Sequence, residues 1–320
     1  MKIIIVGQGA IGLLWYHHLQ QLLNQDNDFK KHDIYLLSSK KNNHLKSNTK
    51  NDHYYFTDYS NSVHTGLIQY ANNSSIQNAD IIIMCVKSFQ ISSALNKFST
   101  ILKKQSSIIL AHNGMGTINE LPDDIINKHN IYTLLMTHGC LRTAPYSITH
   151  TGIGVSDMGL LAGVPNSEQQ KSLIHLLNSA LPEVSFHQDI LNKQWVKLAV
   201  NCIINPITAL YNIENGKTNN NEFVPLIRKL IREIIEVAAS QNLLLDENTL
   251  INTVKEVAKT TEKNSSSMRC DILAKRRTEI DYINGYIHRL GIEFSIATPV
   301  NTKMWQSVKN LENNFKDGKP

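Results

Sequence analysis

The sequence predicts an α/β protein in which a doubly wound parallel sheet is followed by an all-helical domain. Three observations predict it. Short apolar runs alternate with polar or helical stretches through the first half, a glycine-patterned turn directly follows the first run, and from about Ile190 onward apolar residues recur at helical spacing.

Taken in order, Lys2 to Val6, Asp33 to Leu37, Ala79 to Val86, Ser107 to His112 and Ile131 to Met136 read as parallel strands joined by crossovers. The run Ile81-Ile82-Ile83-Met84-Cys85-Val86 is apolar at every position, as a central strand covered on both faces must be. Leu13 to Leu23 is helix-like. Between Asn42 and Ser62 the composition turns to Asn, Ser, Asp, Lys and Tyr, which predicts surface-exposed structure with weak strands at best. Gly152 to Gly163, rich in small residues, reads as a last hairpin or edge strand. The second half places helices at Trp195 to Leu210, Phe223 to Ala239, Leu250 to Thr260 and Met268 to Leu290, with Asn215-Gly216 and Gly291 as stops and Lys316 to Pro320 as a frayed tail. The domain boundary is therefore set between residues 188 and 189.

A chain of 320 residues, 42% of them hydrophobic, is more comfortable as two domains than as one. The net charge of +5 is spread out, with only short pairs such as Lys40-Lys41 and Arg276-Arg277, so no nucleic-acid stripe is visible. No apolar stretch reaches the roughly 18 to 20 residues that span a bilayer, and the chain starts on a strand-like run; both point to the cytoplasm and away from a membrane. Cys85, Cys140, Cys202 and Cys270 are far apart, and the thirteen histidines lack ligand spacing, so neither disulfides nor a metal are expected.

Gly7-Gln8-Gly9-Ala10-Ile11-Gly12 sits between the first strand and the first helix. That context aims backbone N–H groups and the positive end of the helix dipole at a pyrophosphate, with Gly9 allowing close approach and Gly12 admitting helix-on-strand packing. The first domain is thus of Rossmann type. The second strand ends at Leu37-Ser38-Ser39-Lys40-Lys41 without the acidic residue that would hold a ribose 2′-hydroxyl. Hydroxyls and lysines there suit a 2′-phosphate, hence NADP(H), although a solvated lysine pair would look the same. Lys87 and Asn113-Gly114 follow apolar strands at the sheet edge where ligands gather; Asn113 also fits a simple Asn-Gly turn.

In the second half, Lys197, Asn201 and Asn205 recur every four residues and share one helix face among Leu, Ala, Val, Cys and Ile. Such a stripe either faces water or pairs its polar groups. Asn264-Ser265-Ser266-Ser267 offers hydroxyls for a carboxylate or an ordinary helix cap, and Glu279 is either a site residue or a surface charge beside Arg276 and Arg277. On a single long helix, Ser267 and Glu279 would stand about 18 Å apart.

With these segments together, the chain resembles the 2-dehydropantoate 2-reductase (ketopantoate reductase) family: GQGAIG from Gly7, HNGMGT from His112, KLAVNCIINPITA from Lys197, NSSSM from Asn264 and TEIDYINGY from Thr278 occur in the family's order. The resemblance implies reduction of 2-dehydropantoate to (R)-pantoate with NADPH, on the way to pantothenate and coenzyme A, by a Rossmann domain and a helical domain with the site in the cleft between them. It places Lys197 on the catalytic position and Asn201, Asn205, Asn215, Asn264 and Ser267 on or beside substrate-binding positions. Asn113 falls on a position shared by substrate and cofactor, and Lys87 and Glu279 on positions near the cofactor. Where the family often carries an arginine for the 2′-phosphate, this chain has Ser39 beside Lys40, and Cys140 stands where relatives can have a small residue such as alanine.

The chemistry that fits is hydride transfer to a carbonyl carbon of a small 2-keto acid, with the Lys197 ammonium stabilising and protonating the oxygen. A reductase of another branched 2-keto acid and a non-catalytic NADP-binding sensor are the rival readings. No heptad pattern demands dimerisation, so monomer and homodimer both stand.

Overall fold

In the computed structural model of the chain, which describes residues 1–25, 29–38 and 52–315, the strands are β1 (Lys2–Val6), β2 (Asp33–Leu37), β3 (His53–Thr57), β4 (Val63–Leu67), β5 (Ile81–Met84), β6 (Ser107–Leu110), β7 (Asn130–Met136), β8 (Gly139–Ala144), β9 (Ser147–Gly152), β10 (Ser156–Ala162) and β11 (Val184–Phe186). The chain divides into two units. One holds Met1–Val86, Gln90–His112 and Ile118–Ile190; the other holds Lys87–Phe89, Asn113–Thr117 and the chain from Leu191 onward.

The first unit is built on a seven-stranded sheet in the order β11-β10-β7-β6-β5-β1-β2, parallel except where β10 runs against β7. From β1 the order runs one way to β2 and the other way to β5, which makes their junction the topological switch point. Alternation along the strands separates two cores. Ile3 and Ile5 of β1 and Ile81 and Ile83 of β5 enter one, while Ile4, Val6, Ile82 and Met84 enter the other. Helices α1 (Ala10–Gln25) and α5 (Ser167–Ala180) bury their apolar residues in the first of these cores. Short α2 (Asn73–Gln77), α3 (Ile91–Leu95) and α4 (Asp123–Lys128) serve the second. Gly152 to Gly163, read as a last hairpin or edge strand, contributes β10 inside the sheet; the three-residue β11 forms the edge.

Of the stretch from Asn42 to Ser62, where the sequence suggests weak strands at best, residues 42–51 lie outside those described and the rest contains β3, which joins a second sheet in the order β4-β3-β9-β8. The reason is a partner far along the chain: Tyr55, Phe56 and Thr57 pair with Ser147, Ile148 and Thr149. Tyr54 and Phe56 point inward and are buried, whereas His53 and Tyr55 are exposed, so the wet face supplies the polar composition. The sheet packs on α1, whose Leu13, Leu14, Trp15, Tyr16 and Leu19 are fully buried. A helix covered on two sides has to be apolar nearly all round. His17 stacks on Phe56 with ring centroids 3.8 Å apart, and His18, His138 and His150 gather beside it, His138 Nδ1 lying 3.3 Å from His150 Nε2.

The second unit is helical: α6 (Leu191–Tyr211), α7 (Val224–Ser240), α8 (Glu247–Thr260), α9 (Ser267–Leu273), α10 (Asn284–Glu293) and α11 (Pro299–Asn314). α6 is the central element; α7, α8, α9 and α11 all contact it, and twelve of its residues are buried. Pro206 sits inside α6 and lacks the N–H that would bond the carbonyl four residues earlier. Asn284 Nδ2 bonds that carbonyl, of Cys202, at 2.9 Å, and also reaches Asn301 Oδ1 at 3.0 Å. Asn301 is fixed in turn by Glu233, whose carboxylate accepts the N–H groups of Val300 and Asn301 in the first turn of α11.

One helix from Met268 to Leu290 is not what forms. α9 stops at Leu273, Lys275 takes φ 51°, and a 3-10 turn over Ile280–Tyr282 precedes α10. The break lets Asp271, Arg276 and Glu279 converge instead of spacing them along an axis.

Candidate functional site

In the first unit the glycine turn leaves β1 at the switch point. Gly7 has φ 111°, and a Cβ there would lie 2.8 Å from the carbonyl oxygen of Cys85. At Gly12 a Cβ would lie 2.0 Å from the Gly7 oxygen, so helix α1 can pack this close only without a side chain. Gly9 is different: a Cβ would meet only the Cys85 oxygen, at 3.9 Å, so this backbone borders open space. The first helical bond runs from Leu13 N–H to the Gly9 oxygen at 3.0 Å, which leaves the N–H groups of Gly9, Ala10, Ile11 and Gly12 without partners inside α1. With no acidic residue in the first turn, this end suits a diphosphate.

Gln8 is held by Ser38, whose hydroxyl donates to Gln8 Oε1 at 2.6 Å. Cys140 Sγ lies 3.5 Å from the carbonyl oxygen of Ala10, and burial pushes its thiol up to about 12, so it acts as a packed, protonated group. Ser39 and Lys40, the candidates for a 2′-phosphate, lie outside the described residues.

The second unit gathers the other candidates. Lys87 and Asn113, from the segments after β5 and β6, meet Glu279: its Oε1 accepts Ser88 N–H at 3.0 Å, and its Oε2 lies 3.4 Å from Asn113 Nδ2 and 3.6 Å from Lys87 Nζ. Asn113 leads into Gly114 with φ 84°, where a Cβ would strike the Tyr282 carbonyl at 2.3 Å, and Met115 N–H bonds that carbonyl at 2.8 Å. Burial pulls the Lys87 ammonium toward deprotonation, but the carboxylates of Glu279 and Asp271 outweigh it and hold the pKa above the ordinary lysine value.

Lys197, Asn201 and Asn205 share a face of α6, with Lys197 and Asn201 half-buried and Asn205 buried. Thr208, farther along α6, bonds Ser266 Oγ at 2.7 Å. Ser266, not Ser267, caps α9, accepting Arg269 N–H at 3.1 Å, and Ser267 is left exposed four residues from Asp271 on that helix. Asn215 donates from Nδ2 to Thr261 Oγ1 and from its backbone to the carbonyl of Asn264, both at 3.0 Å; Asn264 itself is exposed. Asn201 Nδ2 and Asn215 Oδ1 are buried without a hydrogen-bond partner. One orphaned donor and one orphaned acceptor cost about 1–3 kcal/mol each, a cost that a small polar ligand bearing both kinds of group would remove.

Sequence reasoning does not reach Asp271, and it meets Ser38, Thr208 and Ser266 only as members of longer runs. Asp271 bonds Lys87 across 184 positions, and no local spacing encodes that. Ser266 carried a signal, since the capping position just before a helix is readable once the helix start is known. Among the described residues, no cluster of His, Cys, Asp or Glu could hold a metal ion, and no helix is long and apolar enough to cross a membrane.

Residues 3–163 match the family described as ketopantoate reductase PanE/ApbA, and residues 189–312 match that family's C-terminal region. A 2-dehydropantoate 2-reductase from Yersinia pestis is 31% identical over 98% of this chain and 96% of its own. Among solved structures, a D-mandelate dehydrogenase in complex with NADH and anilino(oxo)acetate superposes with a TM-score of 0.85 at 21% identity, covering 99% of this chain and 100% of that one. A dimeric ketopantoate reductase from Staphylococcus aureus superposes with a TM-score of 0.79 at 21% identity, covering 98% and 100%.

Proposed function

The chain belongs to the ketopantoate reductase family PanE/ApbA, and from that premise we propose that it reduces 2-dehydropantoate to (R)-pantoate with NADPH. The observation that carries this reading is the face of α6 bearing Lys197, Asn201 and Asn205, together with the unpartnered Asn201 Nδ2 and Asn215 Oδ1. A helix face with a lysine and preplaced amides suits a small, polar, oxygen-rich keto acid.

NADPH, when bound, supplies the hydride. The glycine turn from Gly7 to Gly12 fits its diphosphate by the open space at Gly9 and the unbonded N–H groups of the first helical turn. Ser38, Ser39, Lys40 and Lys41 carry no carboxylate to repel a 2′-phosphate, which favours NADPH over NADH.

Lys197 is assigned the acid role: its ammonium stabilises the charge that grows on the C2 oxygen and gives that oxygen a proton. Asn201, Asn205 and Asn215 orient the substrate without adding charge, and Ser267 and Asn264 receive its carboxylate. Asn113 and Lys87 are assigned to the meeting of cofactor and substrate, a reading supported by Glu279, whose Oε2 accepts Asn113 Nδ2 and lies 3.6 Å from Lys87 Nζ.

The test is NADPH oxidation followed by absorbance with 2-dehydropantoate, beside NADH and beside simpler and other branched 2-keto acids. Turnover that prefers NADPH and 2-dehydropantoate, and that drops roughly 10²- to 10⁴-fold in Lys197→Ala, is the expected result. Folded, NADPH-binding protein that turns over none of these acids would leave a sensor; preference for another acid would move the substrate assignment.

A further inference from the structure

Asp271 has no part in the reading above, yet it is one of the most deeply buried carboxylates of the second unit, with 5% of its side chain exposed. Both oxygens are engaged. Oδ2 takes the Lys87 ammonium at 2.5 Å and Oδ1 takes Arg276 Nε at 3.1 Å. Among the groups facing Lys87 are Asp271 from α9, Arg276 from the turn after it, and Glu279 from the segment before the 3-10 turn. These four place two cations beside two carboxylates.

The two carboxylates do different work. Glu279 lies 3.6 Å from Lys87 Nζ, beyond hydrogen-bond reach, and its oxygens serve Ser88 N–H and Asn113 Nδ2. Asp271 makes the short bond to the ammonium. A lysine on its four-carbon stem wanders among rotamers unless something holds its head group, and an anionic ligand then has to order it on binding.

We propose that Asp271 is a positioning residue that fixes the Lys87 ammonium just beyond the carboxyl end of β5, so that the anionic ligand of this site meets a preplaced cation. The kinetic side of this inference rests on the reductase reading; the placement of Lys87 does not. Burial raises the Asp271 carboxyl above its ordinary value; Lys87 and, half-exposed on the other oxygen, Arg276 oppose that rise, and Arg276 orients the group.

The experiment compares the full-length protein with Asp271→Asn, Lys87→Met and the double variant. Reductive 13C-methylation of lysines, with Lys87→Met assigning the resonance, gives the Lys87 titration by NMR with no need for turnover. In the unaltered protein Lys87 is expected to titrate above the ordinary lysine value, and in Asp271→Asn at lower pH with a mobile head group. Kinetically, Asp271→Asn is expected to lower kcat/KM roughly tenfold to a hundredfold, and to add nothing further once Lys87 is already Met.

An unchanged Lys87 resonance in a folded Asp271→Asn protein would overturn the proposal, and so would full additivity of the two substitutions. If Asp271→Asn does not fold, titration in the unaltered protein decides, because a Lys87 pKa at or below the ordinary lysine value is incompatible with a carboxylate clamp. A protein that shows the Lys87 shift but turns over no keto acid sinks the reductase reading and leaves the placement of Lys87 intact.

Discussion

Pro206 and Asn284 are complementary: the proline withholds a donor from the carbonyl of Cys202, and Asn284 Nδ2 supplies one at 2.9 Å. Asn284→Ala is expected to cost about 1–3 kcal/mol of stability, read as a lower denaturant midpoint, because a buried carbonyl loses its partner. In that background Pro206→Ala restores a backbone N–H at the right place and should return about 1 kcal/mol. Equal effects of Pro206→Ala with and without Asn284 would show that the two do not act on the same carbonyl.

Gly9 and Gly12 differ in what surrounds them, and alanine should report it. Gly9→Ala places a methyl in open space, so the protein should melt as before while NADPH binding weakens tenfold or more, about 1.4 kcal/mol. Gly12→Ala drives a methyl into the Gly7 carbonyl and should lose thermal stability as well. Fluorescence titration beside thermal melts separates the two, and unimpaired binding by Gly9→Ala would remove the glycine turn as the diphosphate site.

The histidines between α1 and the small sheet are expected to make the fold acid-labile. Burial, reinforced by neighbouring histidines, lowers His17 to about 3 and His18 and His138 to about 4. Folded, they stay neutral while the unfolded chain takes up protons near pH 6.5, so their stabilisation is whole above that pH and is lost as pH falls toward 4. Three such groups give a slope of at most about 4 kcal/mol per pH unit. His18→Phe removes a ring whose Nε2 is buried without a partner; it should leave stability at pH 8 intact and flatten the slope by about 1.4 kcal/mol per pH unit. An unchanged slope in that variant would mean His18 is not part of the effect.

Asn201 should show the opposite trade from a core residue. Its Nδ2 has no partner, so Asn201→Ala is expected to leave the melting temperature unchanged or raised while kcat/KM for the keto acid falls roughly tenfold or more. A destabilised variant with normal kinetics would make Asn201 structural.

The legible parts of the fold are those with local signals. Lys2–Val6 forms as a strand with the bounds its apolar run gives, because a buried parallel strand writes itself as consecutive apolar residues, and Asp33–Leu37, at the sheet's edge, keeps its expected bounds with Ile34 and Leu36 buried. β3 is harder to read, since its partner β9 lies some ninety positions on and only one face is dry, and β4 is held at the sheet's edge by β3 alone. The stretch from Met268 to Leu290 keeps helical periodicity across a break, and the convergence of Asp271, Arg276 and Glu279 that the break allows is something no periodicity reports. Within the site the motif-borne residues, the glycine turn and the α6 stripe, were readable, whereas Asp271 required the fold to bring α9 to Lys87.

Lys87–Phe89 and Asn113–Thr117 belong with the helical unit although each is flanked by strands of the sheet. The helical half is therefore not a cassette that can be cut out. A fragment beginning at Leu191 would leave Glu279 without Ser88 and Asn113, would lose Met115 from its core, and would carry a buried Asp271 stripped of its lysine. Exchange of this half between related proteins would have to carry two short loops from elsewhere in the gene along with it, so recombination at a single crossover breaks the very cluster it seeks to transplant.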